Sequence, residues 1–210
     1  MGKESRAHHC TSVFIRDSKE GGPLYGRNLD DVRRAGLEDF QPPQEGPDGR
    51  RKRLTDGVSS AVLCDEEPEE IFPVNVWDIM PADCKKVNDQ IEFLKRYADF
   101  WGPGNGIMVD KDLNSAAYEK SNRRMGVRIS DDGTAAVTAC SYLVPEMKAF
   151  KEKCSRRSLE ARGWTEDSLD WAYWKGCDAR YDRLLKLTSE ANQRCATLQD
   201  MADIVTDHAA

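Results

Sequence analysis

Two short apolar runs near the start of the chain are separated by a turn-forming segment. Residues 13–15 are apolar, and the apolar pattern resumes at Leu24 and Tyr25. The residues between the two runs include the strong turn formers Ser18, Gly21, Gly22 and Pro23. Glycine and proline in such a segment favour a tight connection, so the pattern predicts a β-hairpin that Cys10 opens and residues 26–30 close.

The middle of the chain predicts a helix followed by an antiparallel meander. Apolar residues recur at helical spacing between residues 84 and 100, and Asp83 is placed to cap this helix. The glycine-rich segment Trp101–Asn105 predicts its end. Four short apolar stretches then predict strands at residues 106–109, 115–119, 126–129 and 134–140. A helix beside such a meander is typical of an α+β sandwich.

The last third of the chain predicts helices. Residues 145–153 begin one helix, and Thr165 is placed to cap a second that runs through Trp171. Residues 178–191 predict a third helix with four side chains on one face: Tyr181, Leu184, Leu185 and Thr188. The segment Thr197–Asp200 has the spacing of a capping box and predicts the start of a fourth helix.

The organisation of the chain fits a single domain. The 210 residues are enough to bury one sizeable core. Residues 1–9 form a polar leader, and residues 10–210 form the predicted domain. Residues 31–57 are rich in proline, glycine and charge, which predicts a long loop or insertion. A short strand-like run follows at residues 58–64.

Composition narrows the function classes. The formal net charge is −6, with 37 acidic against 31 basic residues, which argues against nucleic-acid binding as the main function. No apolar run approaches the length of a membrane span. The seven cysteines include no C-x-x-C pair and there are three histidines, so we expect neither a disulfide framework nor a metal site. This cysteine pattern favours a reducing cytoplasm.

The predicted hairpin would bring three reactive groups into one small volume: the Cys10 thiol, the Arg27 guanidinium and the Asp30 carboxylate. A thiol in such surroundings is a candidate activated nucleophile. The alternative is a buried structural cysteine beside an ordinary surface arginine and aspartate, because free cysteine often packs as a small apolar residue.

The segment Cys10-Thr11-Ser12, followed by Gly26-Arg27-Asn28-Leu29-Asp30, resembles the start of the mature chain in N-terminal-nucleophile cysteine amidohydrolases. The closest relatives in pattern are the choloylglycine hydrolases, the penicillin V acylases and the isopenicillin N acyltransferase-like proteins. The resemblance implies that residues 1–9 are removed, after which the α-amine of Cys10 acts as general base and its sulfur attacks an amide carbonyl. It also implies that Asp30 holds the amine and that Arg27 polarises or positions the thiol.

Three further segments extend the resemblance to the isopenicillin N acyltransferase-like branch: Gly104-Asn105, Val109-Asp110 and Tyr118-Glu119-Lys120. Asn105 is a candidate for substrate contact, and the alternative is a residue that ends the helix or forms a turn. Arg180 lies in a segment similar to the arginine-rich helix of the family. The alternative for Arg180 is a surface ion pair with a neighbouring carboxylate.

Residues 138–143 depart from the family, which commonly has an asparagine here whose amide helps to bind the oxyanion. This chain has Ala139-Cys140 instead. Ser141, Tyr142 and backbone N–H groups are the candidate replacements, because Cys140 is a poor hydrogen-bond donor.

The resemblance implies a four-layer αββα sandwich, here shortened, because members of the family continue into further strands. It implies a cysteine amidohydrolase or acyltransferase that acts on a linear amide C–N bond of a small molecule and needs no cofactor, nucleic acid or membrane. Strand edges left by the shortening would favour a second copy or a complementing chain. One alternative is a catalytically silent homologue that serves in binding or assembly. Another is a conventional cysteine–histidine pair of Cys10 and His208.

Overall fold

The computed structural model describes residues 11–28, 55–58, 76–100, 104–121, 124–138, 142–149 and 169–207. These residues form both helices and antiparallel strands. The strands are β1 (Thr11–Ile15), β2 (Leu24–Asn28), β3 (Thr55–Val58), β4 (Gly104–Val109), β5 (Ser115–Lys120), β6 (Met125–Ile129) and β7 (Thr134–Thr138). The helices are α1 (Val76–Ile79), α2 (Val87–Arg96), α3 (Leu169–Gln193) and α4 (Leu198–Val205), with a 3-10 turn at Ala98–Phe100. Residues 145–149 are also helical.

Strands β2, β1 and β7 form an antiparallel sheet, here called sheet 1, in which β1 is central. The predicted hairpin is confirmed, because β1 and β2 pair along their whole length. Its turn is stabilised by the Ser18 hydroxyl, which accepts the Glu20 N–H at 3.2 Å. Gly21 has a φ of +80°, a left-handed conformation that favours glycine. The turn residues of this hairpin therefore act as the sequence predicts.

Strands β3, β4, β5 and β6 form a second antiparallel sheet, here called sheet 2. The strands expected after α2 are confirmed, although β4 begins at Gly104 rather than at residue 106. Strand β3 covers Thr55–Val58, so the end of the segment predicted as a loop, residues 31–57, belongs to the sheet. Residues 59–64 of the predicted strand lie outside the described ranges.

The two sheets pack face to face through a small apolar layer. Phe14 of β1 and the β7 residues Ala135 and Val137 contact Ile107 and Ala117 of sheet 2. Removal of these side chains from water is the main favourable term in such packing.

Helices cover the other face of each sheet. Val13 and Ile15 of sheet 1 pack in one cluster with residues of α3 and α4. Residues of α1 and α2 pack on sheet 2, where Leu94 and Met108 are fully buried. Successive side chains of a strand point to opposite faces, which explains why Phe14 contacts the second sheet while its two neighbours contact helices.

Helix α2 begins at Val87, and Asp83 does not cap it. The N-cap residue is Lys86, which makes no side-chain capping hydrogen bond. The carboxylate of Asp110, in the loop after β4, instead accepts the Val87 N–H at 3.3 Å. The predicted cap is wrong because the acceptor comes from a distant part of the chain, which local spacing cannot reveal. The apolar face of α2 is buried as predicted.

Helix α3 is one helix of 25 residues, whereas the sequence predicts two. The stretch between the two predicted helices, residues 172–177, contains Gly176, but a glycine inside a helix costs only about 1 kcal/mol relative to alanine. Packing on sheet 1 offsets that cost. Tyr181, Leu184 and Thr188 are buried as predicted, whereas Leu185 is 41% exposed.

Helix α4 begins with the predicted capping box. The Thr197 hydroxyl accepts the Asp200 N–H at 3.1 Å, and the Asp200 carboxylate accepts the Thr197 N–H at 2.8 Å. Both hydrogen bonds of the motif therefore form.

Candidate functional site

Three predicted site segments adjoin one end of sheet 1. Thr11, the first residue of β1, lies between Asn28 of β2 and Thr138 of β7. In sequence, Cys10 precedes Thr11, Asp30 follows Asn28 by two residues, and residue 139 follows Thr138. Cys10, Asp30 and Ser141 themselves lie outside the described residues, as does His208.

Arg27 belongs to the face of sheet 1 that packs against sheet 2. It lies directly opposite Ser12, while Tyr25 lies opposite Phe14, and paired residues of antiparallel strands share a face. Tyr25 packs against the apolar layer between the sheets. Arg27 and Ser12 therefore lie on the face of sheet 1 that points to sheet 2. Arg27 is half-buried, and its Nε atom is shielded from solvent. The predicted pairing of the Cys10 and Arg27 segments is therefore present up to Thr11, which pairs with Asn28.

Asn105 lies inside β4 and is only 1% exposed. The interpretation as a helix-ending or turn residue is wrong, because pairing with β5 extends the strand back into the glycine-rich segment. Asn105 shares its side of the strand with Ile107, which contacts sheet 1, and it pairs directly with Glu119. Its side chain therefore belongs to the layer between the two sheets.

Two contacts show how β5 runs relative to β7. The Ser115 hydroxyl donates to the Gly133 carbonyl at 3.4 Å, just before β7 begins. Four residues later, the Glu119 carboxylate accepts the Leu143 N–H at 2.7 Å, after β7 has ended. The two strands therefore run in the same direction. Asn105, opposite Glu119, accordingly lies toward the end of the layer where β7 finishes.

Tyr142 is fully buried, and its hydroxyl donates to the carbonyl of Lys120 at 3.1 Å. A tyrosine has a single hydroxyl hydrogen, so in this arrangement that hydrogen is already donated. Tyr142 anchors the segment after β7 to the end of β5.

Arg180 is half-buried on α3. Its neighbour Tyr181 packs with Val13 and Ile15 on the helix-covered face of sheet 1. The structure therefore carries Arg180 on the opposite side of sheet 1 from Arg27, and the described contacts do not bring these two arginines together.

A buried polar cluster formed by Glu119, Arg128 and Tyr181 is the main feature that the sequence did not predict. The Arg128 Nε donates to Glu119 at 2.8 Å, Nη1 donates to the Tyr181 hydroxyl, and Nη2 donates to the Ala136 carbonyl at 3.2 Å. The Arg128 guanidinium carbon also lies 4.8 Å from the centre of the Tyr181 ring. Burial raises the pKa of Tyr181 to about 12, against the opposing effect of the Arg128 charge.

The buried polar cluster connects both sheets to α3 and to the segment after β7. Glu119 is completely buried, and its second oxygen accepts the N–H groups of Leu143 and Val144 at 2.7 and 3.1 Å. A sequence signal for it exists: Glu119 and Arg128 are charged residues at strand positions that face the other sheet, on the same face as the apolar residues Ile107 and Ala117. Charges in such positions are usually paired.

The described residues contain no group of three or more histidine, cysteine, aspartate or glutamate side chains placed to hold a metal ion. Among the described helices, none combines the length and the apolar character needed to cross a membrane.

Comparison with protein-family models, with curated proteins and with solved structures finds no match to this chain.

Proposed function

We propose that this protein is a cysteine amidohydrolase or acyltransferase that cleaves a linear amide C–N bond through a thioester at Cys10. The position of Thr11 between Asn28 and Thr138 carries the proposal. This register makes β1 the central strand and attaches the segments of Cys10, Asp30 and Ser141 to the same end of sheet 1. A nucleophile, a carboxylate and hydrogen-bond donors are the groups that such a reaction needs.

The packing order supports a four-layer αββα arrangement of the N-terminal-nucleophile kind. Helices α3 and α4 contact sheet 1, sheet 1 contacts sheet 2, and sheet 2 contacts α1 and α2. The proposal includes a reducing cytoplasm, a small-molecule amide or acyl substrate, and no cofactor. It also includes association with a second copy or a complementing chain.

The proposed reaction begins after removal of residues 1–9. The α-amine of Cys10, held by Asp30, takes the thiol proton, and the sulfur attacks the substrate carbonyl carbon. A C–S bond forms, and the carbonyl π electrons move to oxygen. When the tetrahedral intermediate collapses, the C–N bond breaks and the leaving nitrogen takes the proton from the α-ammonium group. Water or an acceptor amine then attacks the thioester and releases the thiol.

The side chains around this position have distinct proposed roles. Arg27 lies on the Ser12 side of the sheet, where its charge would stabilise a Cys10 thiolate. Asn105 and Ser141 are the side-chain candidates for binding the oxyanion, because the hydrogen of Tyr142 is donated to Lys120. Arg180 would contact a part of the substrate remote from the reacting carbonyl.

A catalytically silent binding or assembly protein is the second candidate. The sequence Ala139-Cys140, where the resembling family has an oxyanion-binding asparagine, favours it. Loss of one such donor typically costs about 100-fold or more in turnover. The two candidates differ in whether Cys10 forms an acyl-enzyme.

Intact mass and acylation at Cys10 test the proposal. We expect purified wild-type protein to lack residues 1–9 and to form a thioester with a p-nitrophenyl ester, and Cys10→Ala to do neither. Cys195→Ala is the matched control, because Cys195 is an exposed free cysteine and should leave both results unchanged. Full activity in a protein that retains residues 1–9 would disprove the N-terminal-amine mechanism. Activity that survives Cys10→Ala would disprove the nucleophile.

A further inference from the structure

The end of β7 is held from two directions by the ion pair of Glu119 and Arg128. Glu119 accepts the Leu143 and Val144 N–H groups, which follow β7 in the chain. The same carboxylate binds Arg128, which in turn donates to the Ala136 carbonyl inside β7. The backbone before and after the end of β7 is therefore attached to sheet 2 through the Glu119–Arg128 pair, beside the hydrogen bond from Tyr142 to Lys120.

The end of β7 matters because it pairs with the start of β1. Thr138 lies opposite Thr11, the residue next to the proposed nucleophile, and Ala136 lies opposite Val13. Within the described residues, β1 is the only strand that pairs with β7 in sheet 1. The other edge of β7 therefore makes no strand pairing there. The contacts made by Arg128 and Glu119 supply a second attachment at that edge.

We infer that Glu119 is a positioning residue for the proposed reaction, because it fixes the end of β7 against the start of β1. It does so by binding Arg128, which donates to the Ala136 carbonyl, and by accepting the N–H groups of Leu143 and Val144. This role rests on the proposed function. Glu119 does not touch the reacting atoms. It acts by holding the backbone beside Cys10 in the geometry that the tetrahedral intermediate requires. A displacement of about 1 Å in such a frame can cost roughly 100-fold in rate.

Glu119→Gln tests this role because it keeps the shape of the side chain but removes the charge. The carboxylate accepts from Arg128 through one oxygen and from two backbone N–H groups through the other. Glutamine has one oxygen and an NH₂ group, so a donor would face a donor on one side. Glu190→Gln is the matched control, because Glu190 makes only an exposed 3.9 Å contact with Lys186 in the described structure.

Two modifications of Cys10 separate positioning from general stability. A p-nitrophenyl ester acylates the sulfur through a tetrahedral oxyanion and releases p-nitrophenolate. Iodoacetamide alkylates the sulfur by direct displacement of iodide, without an oxyanion. We expect Glu119→Gln to slow acylation roughly 100-fold and to change alkylation less than about twofold. Glu190→Gln should change neither rate. Arg128→Lys, which cannot reach Glu119 and Ala136 together, should show the same selective loss to a smaller extent.

The possible outcomes distinguish failure of the positioning role from failure of the proposed function. Equal losses of acylation and alkylation, or no loss, would overturn the positioning role and leave the proposed function intact. Unfolding of Glu119→Gln, together with no selective loss in Arg128→Lys, would also overturn it. Wild-type protein without acylation at Cys10 would overturn the proposed function, and the positioning role with it.

Discussion

The carboxylate of Asp110 caps helix α2 from outside the helix: its Oδ2 accepts the N–H of Val87 at 3.3 Å. The other oxygen of Asp110 accepts the N–H groups of Asp112 and Asn114 at 2.9 and 3.0 Å. One side chain therefore closes the turn between β4 and β5 and fixes the start of α2 on sheet 2.

Replacement of Asp110 by alanine should lower the free energy of unfolding by about 2 kcal/mol, because a helix cap and the turn acceptors are lost together. Urea denaturation measures this change. Asp83→Ala is the matched control, since Asp83 is exposed and has the position that local spacing favours for the cap. It should change stability by less than about 0.5 kcal/mol. A larger effect for Asp83 than for Asp110 would contradict the structure.

Stability should fall in acid, in part through Asp110. Burial alone raises the pKa of Asp110, but hydrogen bonds from Asn114, Val87 and Asp112 outweigh burial and hold the pKa below its ordinary value of 3.8. Because the folded state binds this proton more weakly than the unfolded state, the contribution is complete above the ordinary pKa and is lost as the pH falls toward the lowered value.

Urea midpoints for wild type and Asp110→Asn, measured from pH 6 down to pH 3, test this dependence. The variant cannot ionise at position 110, so its midpoint should fall less steeply below about pH 4. Parallel curves for the two proteins would show that Asp110 does not contribute.

Gly26→Ala should destabilise the protein by about 1–3 kcal/mol, because a new Cβ would overpack the contact between β2 and α4. The added carbon would lie 2.5 Å from the Met201 sulfur and 2.9 Å from a methyl carbon of Val205. Gly22→Ala is the matched control in the same hairpin, where the added carbon would meet nothing within 4 Å. Thermal unfolding of both variants gives the comparison, and equal melting temperatures would contradict the packing of α4.

Thr197→Ala should destabilise the protein by about 1 kcal/mol through loss of the capping box of α4. Thr197→Ser retains the hydroxyl that accepts the Asp200 N–H and should recover most of this loss. Chemical denaturation distinguishes the two variants. If serine were no better than alanine, the capping hydrogen bond would not be the source of the effect.

Features that depend on neighbouring residues in the chain could be predicted from the sequence. The first hairpin follows from turn formers such as Ser18 and Gly21, and the capping box follows from two residues three positions apart. The apolar face of α2 follows from helical spacing. In each case the sequence signal lies within a few neighbouring residues of the chain.

Features that depend on contacts between distant segments could not be predicted. Asn105 looks like a turn residue after Gly102 and Pro103, and only its pairing with Glu119 makes it a buried strand residue. The cap of α2 comes from Asp110, and the partner of Glu119 is Arg128 on the next strand. For the site, the sequence predicted the strand pairing of Arg27 but not the buried polar cluster, because local propensity carries no information about which faces meet.

The central position of β1 has a consequence for folding. One neighbour of β1 follows immediately in the chain, but the other, β7, lies more than half the chain away. Pairings between such distant segments form late and slowly, because a long loop must close before the contact can contribute. If the chain matures by cleavage before Cys10, the sheet that frames the cut cannot exist until β7 has been synthesised and docked. Removal of residues 1–9 would then require that β7 had paired with β1, and a chain arrested before β7 would keep its first nine residues.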